Sequence, residues 1–239
     1  MSSGGGASAN KTQGEHSHFS KARTPLSKLF TRSELAEIAL HLSATRLSTY
    51  AQHPPNMRRA LALYRWNAQI SAAFIVPLHI CEVVTRNAIV EAIEAAYGAA
   101  WFTEPGFERA LSPLARQNLV QTRRNRSLAG EIVAELKAFF WVTMLTSRHD
   151  QRLWKAHLRT KFPNLPVNRT IAQSRKLLHE QLDMIRRFRN RVAHHEPIFT
   201  RNLAAEYKRL RNLVAWRSVL TAEWLDNIQD VTRLLSLKP

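Results

Sequence analysis

A single cysteine, Cys81, stands among 239 residues. It cannot close an intrachain disulfide and rules out a cysteine-rich zinc centre. Lying in an apolar run, it reads as a small buried hydrophobe. Glycine is scarce, with seven in the chain, and runs of alternating apolar and polar residues between turns are few, which argues against strands. Acidic residues are short of the basic ones: 18 Asp and Glu face 35 Lys and Arg, for a formal net charge of +17. The first thirty residues hold no apolar block suited to a signal peptide, and no later segment reads as long and apolar enough to span a bilayer. The expected compartment is therefore the cytoplasm, with no membrane partner.

What is present is a large apolar fraction, 45%, enough for a sizeable core in one domain preceded by a tail. A pI near 11.1 points to a polyanionic partner, nucleic acid before an anionic membrane surface. Residues 1–30 are rich in Ser, Gly, Ala and Lys without periodicity and read as a flexible basic tail. Its "EHSHF" places His16 and His18 near each other, but a polar tail explains them better than a metal site. Residues 31–239 form the domain. Leu35, Ile38, Leu42, Thr45 and Thr49 follow helical spacing, with Ser33 as the expected N-cap and "HPPN" as the stop. A second helical stretch runs from Met57 to about Ala96, with Leu61, Tyr64, Ala68, Ser71 and Ile75 on one stripe, and Pro77 should kink or divide it. Helical patterns recur near 108–124, 130–146, 149–160, 168–194 and 202–236, with "FPNLP" a clear break and another near Trp216. The fold class is all-α, a bundle of long helices.

Chemistry gathers at Arg187–Phe199, "RFRNRVAHHEPIF". Leu178, Leu182, Ile185 and Val192 make an apolar stripe facing the core. Asn190 and His194 lie about 40° apart on the opposite face, joined by Arg187. Pro197 should leave both histidines in the last helical turn. These groups suit RNA cleavage by the adjacent 2′-hydroxyl. Histidine titrates near pH ~6.5 and serves as base or acid. Arginine is a fixed cation whose fork matches phosphate oxygens, and asparagine can orient either. No cofactor is required, and "HHE" lacks the second ligand pair of a zinc helix, so no metal site is expected. A purely solvated basic face is the competing reading. Arg189 and His194, five residues apart, differ by about 140° on an ideal helix. Either the helix end unwinds or another copy of the motif completes the site.

"RNRVAH", Arg189 to His194, matches the R-x4-H signature of HEPN-domain ribonucleases. "RNRVAHHEPIF" resembles the C-terminal motif of Abi-like (abortive infection, Abi_2/AbiD/AbiF-type) proteins. Residues 63–102 are similar to their N-terminal helices, and "GEIVAELKAFFWVTML" at 130–145, with "LW" at 153–154, to their central region. The resemblance covers Ser33 to Trp224 in consistent order. It implies a HEPN-like helical bundle and a metal-independent endoribonuclease with Arg189 and His194 as catalytic pair. Asn190 would support them, and His195 would orient or substitute. It also implies a homodimer with a composite site, and a role in phage defence, abortive infection or a toxin–antitoxin setting, with an antitoxin or regulatory RNA as a further partner. The alternative is a non-catalytic HEPN module that binds RNA or protein. "ICEVVTRN" is a second family segment, in which Glu82, Arg86 and Asn87 would support the site, Glu82 and Arg86 being spaced as a helical ion pair. Arg187 and Arg191 beside the motif, and Arg123, Arg124 and Arg126 in "RQNLVQTRRNRS", are the expected RNA contacts. Phe139, Phe140 and Trp141 cannot all face one side, which leaves one of them to meet a partner protomer.

Overall fold

The computed structural model describes residues 30–51 and 56–239. The expected tail, with His16 and His18, and most of "HPPN" lie outside the described residues. Among those described, the chain is all-helical, with no strand. Helix α1 spans Arg32–His41 and α2 Ala44–Ser48. Thr31, rather than Ser33, caps α1, because Glu34 three positions on completes a capping box with it. Ser43, at φ 73°, separates the two short helices.

Helix α3, Met57–Tyr97, is 41 residues long and starts on an Asn56 cap. Pro77 does not divide it. The apolar stretch is therefore longer than a helix broken at Pro77 would be, and α3 contains an 18-residue window of mean hydropathy 1.5, long and apolar enough to cross a membrane. This corrects the expectation that no such segment exists. The same helix is the axis of the bundle. Ile70, Phe74, Cys81, Ala88, Ile89, Ala92 and Ile93 are all fully buried along it, and α8, α9, α10 and α12 pack against it.

The remaining long patterns break into shorter helices, each at an identifiable cap. Residues 108–124 are shared by α4 (Pro105–Ala110) and α5 (Pro113–Asn125). Ser112 caps α5, and Pro113 at its first position cannot continue the helix before it. Residues 130–146 divide into α6 (Ala129–Glu135) and α7 (Ala138–Met144), where the Lys137 N–H donates to Asn118 Oδ1 on α5 at 3.2 Å. A 3-10 turn at Ser147–His149 and a π turn at Asp150–Trp154 lead into α8, Lys155–Lys161. Helix α9, Ile171–Ala193, opens on a Thr170–Gln173 capping box. Then α10 (Leu203–Arg217), α11 (Val219–Ile228) and α12 (Val231–Leu235) replace one continuous pattern, with Ser218 ending α10 and capping α11.

The core is continuous through α3 to α12, with a satellite of Leu35, Ala39, Leu47 and Leu61 under α1 and α2. Two indole N–H groups tie it to distant carbonyls: Trp66 donates to Leu234 O at 2.8 Å and Trp154 to Met144 O at 2.6 Å. Cys81 is fully buried, and burial pushes its thiol up to about 12, as expected of a small hydrophobe. Of the aromatic triplet, Phe140 and Trp141 are buried and Phe139 is half-buried.

Candidate active site

The buried face of α9 carries Leu178, Leu182, Ile185, Phe188 and Val192, which is the expected stripe with Phe188 added. Phe188 meets the Phe74 ring of α3 edge-on, 4.8 Å between centroids. That contact sits one residue before Arg189 and fixes how the end of α9 lies on the bundle.

The helix ends at Ala193, so the histidines occupy its exit rather than its last turn. His194 is the C-cap and His195 follows at φ 56°. The His195 N–H donates to Val192 O at 3.1 Å and the Glu196 N–H to Arg191 O at 2.9 Å. This pair of bonds is the Schellman closure, in which the left-handed position is usually glycine. The break falls before both histidines, whereas the sequence placed both inside the last turn. A histidine in the left-handed region costs roughly 1 kcal/mol relative to glycine. His195→Gly should therefore match or exceed the wild-type stability by up to about 1 kcal/mol, and β-branched His195→Val should lose about 1–2 kcal/mol. Urea unfolding midpoints decide it, and equal losses in both variants would remove the backbone argument.

The His194 N–H still donates to Asn190 O at 2.9 Å. Helical bonding thus persists as far as His194, and no unwinding between Arg189 and His194 brings their side chains together. Arg189 and His194 are both exposed, and Asn190 is partly so. The neighbouring cations are occupied. Arg186 and Arg187 pair with Asp183 at 2.8 and 2.7 Å. Burial raises the Asp183 carboxyl, but these two guanidiniums outweigh it and hold it below its ordinary range. Arg191 approaches Glu196 at 3.2 Å, without hydrogen-bond geometry. Among the described residues, Arg189 makes no ion pair, so the R-x4-H pair presents an uncommitted cation and imidazole on one helix end.

The segment on α3 is placed differently from its spacing. Among the described residues, Arg86 makes no ion pair with Glu82 and its Nε is buried without a partner, and Asn87 is exposed. Spacing sets a shared face, but a pair worth about 0.2–0.5 kcal/mol does not dictate both rotamers. In the basic stretch, Arg123 is engaged in the fold: it pairs with Glu108 at 2.8 Å and donates to Phe102 O at 2.7 Å. Arg116 likewise donates to Glu108 O at 3.0 Å. Arg124 is exposed, and Arg126 only grazes Glu135 at 3.9 Å. If this face tracks RNA, Arg124→Gln with Arg126→Gln should weaken binding and lower the salt slope by about 2, while Arg123→Gln should act through stability. A slope unchanged in the double variant would leave a merely solvated face.

A cleft of about 460 Å³ adjoins the motif, lined among others by Arg46, Tyr50, Tyr64, Asn67, Ala68, Ile75 and His195. Sequence reasoning placed Tyr64, Ala68, Ser71 and Ile75 on one stripe but did not recognise a cleft there. Ala68 is exposed and Ile75 is 53% exposed. The bulkier set Trp66, Ile70, Phe74 and Leu78, at the same spacing, takes the buried side, and that difference in size was the available signal. At the other end of α9, His149 is buried with its Nδ1 unpartnered, and burial brings its imidazole down to about 4.

Among the described residues, no group of three or more His, Cys, Asp or Glu could hold a metal ion. No family model matches this chain, and no curated protein or solved structure matches it either.

Proposed function

We propose that this chain is an endoribonuclease of the HEPN type, in which Arg189 and His194 act on an RNA phosphodiester. The observation that supports it most is the free pair itself: an exposed arginine without an ion-pair partner and an exposed histidine at the helix exit, among arginines that are neutralised by Asp183 and Glu196. Imidazole takes the proton of the 2′-hydroxyl, and the 2′-oxygen attacks the adjacent phosphorus. The phosphorane then expels the 5′-oxygen, which receives a proton from an imidazolium. The guanidinium holds the equatorial oxygens as charge grows on them. The products are a 2′,3′-cyclic phosphate and a 5′-hydroxyl. The guanidinium and an imidazole must meet at one phosphate, whereas Arg189 and His194 lie about 140° apart on one helix. A homodimer that brings two motifs across a two-fold axis supplies both. The formal +17 charge draws the RNA in. Phage defence or a toxin–antitoxin pairing, with an antitoxin or regulatory RNA as control, is the setting that fits such an activity.

Purified protein with end-labelled RNA in EDTA tests this. The expected result is cleavage with cyclic phosphate ends. Activity that EDTA abolishes and Mg²⁺ restores would overturn the mechanism, and RNA binding without cleavage would leave a binding module.

A further inference from the structure

The cleft beside the motif contains an asparagine in an unusual state. Asn67 is 5% exposed, and its Oδ1 accepts two backbone N–H groups, from Ile198 at 2.8 Å and Phe199 at 3.1 Å. Those bonds pin the segment that follows the motif to α3. They also fix the amide: both lone-pair directions of Oδ1 are in use, and only the NH₂ group is left to offer. Among the described residues, that nitrogen donates to nothing, and Asn67 lines the cleft. Arg46 stands at the same cleft, with Nη1 donating to His195 O at 3.2 Å. That bond ties the guanidinium to the residue after His194. Tyr64, held edge-on by the buried Tyr50 at 5.1 Å, and the short side chains of Ala68 and Ala72 line the cleft between the polar groups.

We propose that this cleft is the base pocket of the RNA site, taking the nucleobase next to the scissile phosphate and selecting guanine or uracil over adenine. The inference rests on the nuclease reading of Arg189 and His194 for its position along the RNA, but the preference follows from the cleft alone. Asparagine ordinarily reads adenine by accepting from N6 and donating to N7. Asn67 cannot accept, so adenine's amine finds no partner at this amide. Its NH₂ and the Arg46 fork are donors, which suit O6 and N7 of guanine or the carbonyls of uracil. A cleft of about 460 Å³ holds a purine or a pyrimidine with room for its ribose.

The test measures binding of the 3′-monophosphates of guanosine, uridine and adenosine by calorimetry, and separately maps cut positions in a mixed-sequence RNA. Wild type should bind the guanosine or uridine nucleotide at least about 5-fold more tightly than the adenosine nucleotide. Asn67→Asp keeps an acceptor for the two backbone N–H groups and turns the free donor into an acceptor, so the preference should vanish or move toward adenine. Ala68→Trp, at an exposed position, fills the cleft and should weaken all three nucleotides; it decides the matter if Asn67→Asp does not fold. Equal binding of the three nucleotides by wild type, or unchanged binding in Ala68→Trp, overturns the base pocket. RNA cleavage without base preference would leave the nuclease reading standing without it. Selective nucleotide binding by a protein that cuts no RNA would keep the pocket and overturn the nuclease reading.

Discussion

His194→Ala should slow RNA cleavage by about 10²–10⁴, the usual contribution of a positioned acid–base group, and should leave the fold intact. The side chain is exposed, and only its backbone N–H takes part in the helix exit, donating to Asn190 O. Stability is therefore a clean control: an unfolding midpoint that falls along with the rate would mean the substitution acts on structure. Arg189→Ala should also be slow, for a different reason, since it removes the cation proposed to meet the phosphorane. Mixing the two variants tests whether the site is shared. In a composite site, a heterodimer carries one intact arginine and one intact histidine, and where these meet at the same phosphate, part of the lost activity returns. A protein that stays monomeric at working concentration and still cleaves RNA refutes the shared site.

The position of this pair was readable in the sequence because it depends on short-range order. A stripe of Leu178, Leu182, Ile185 and Val192 orients α9, and helical geometry then sets where Arg189, Asn190 and His194 lie relative to it. Helix ends were less legible. His195 in a left-handed conformation has no sequence signature comparable to a glycine, so the exit looked like a further turn of helix. Long-range pairing was not legible at all. That Arg123 is taken up by Glu108 and the carbonyl of Phe102 depends on how α5 packs on the preceding segment. The same holds for Asn67, which looked like one more polar residue on α3 until the chain after α9 returned to it. Periodicity put Tyr64, Ala68, Ser71 and Ile75 on one stripe of α3 but left open that this stripe faces a cleft, because a second stripe competes there. Size resolved them: the tryptophan and phenylalanine go inward, and the alanines are left to line a cleft.

Phe188→Ala should cost about 3–5 kcal/mol, the usual range for deleting a buried phenylalanine. Phe188 is 1% exposed and Phe74, its edge-on partner, is fully buried. Neither α3 nor α9 can shift to fill the gap without disturbing the other contacts along a 41-residue helix. The Arg201 guanidinium lies 5.9 Å from the Phe188 ring while pairing with the buried carboxylate of Glu206, so the cavity would also open beside a charged group. Against a typical stability of about 5–15 kcal/mol, this loss removes a large fraction of the folded state's margin, and urea unfolding at fixed pH measures it. Phe188→Leu should cost less, since much of the volume is kept. The link to function is testable in the same variants. Under conditions where Phe188→Leu is fully folded, its rate should fall through misplacement of Arg189, the next residue, whereas Phe74→Leu perturbs the same contact from the α3 side and should have a similar effect. A loss below about 1 kcal/mol in Phe188→Ala, far under the range for a buried aromatic, would mean that this contact does not anchor the end of α9, and the placement of the proposed catalytic pair would then have to come from the Asn67 bonds to the following segment.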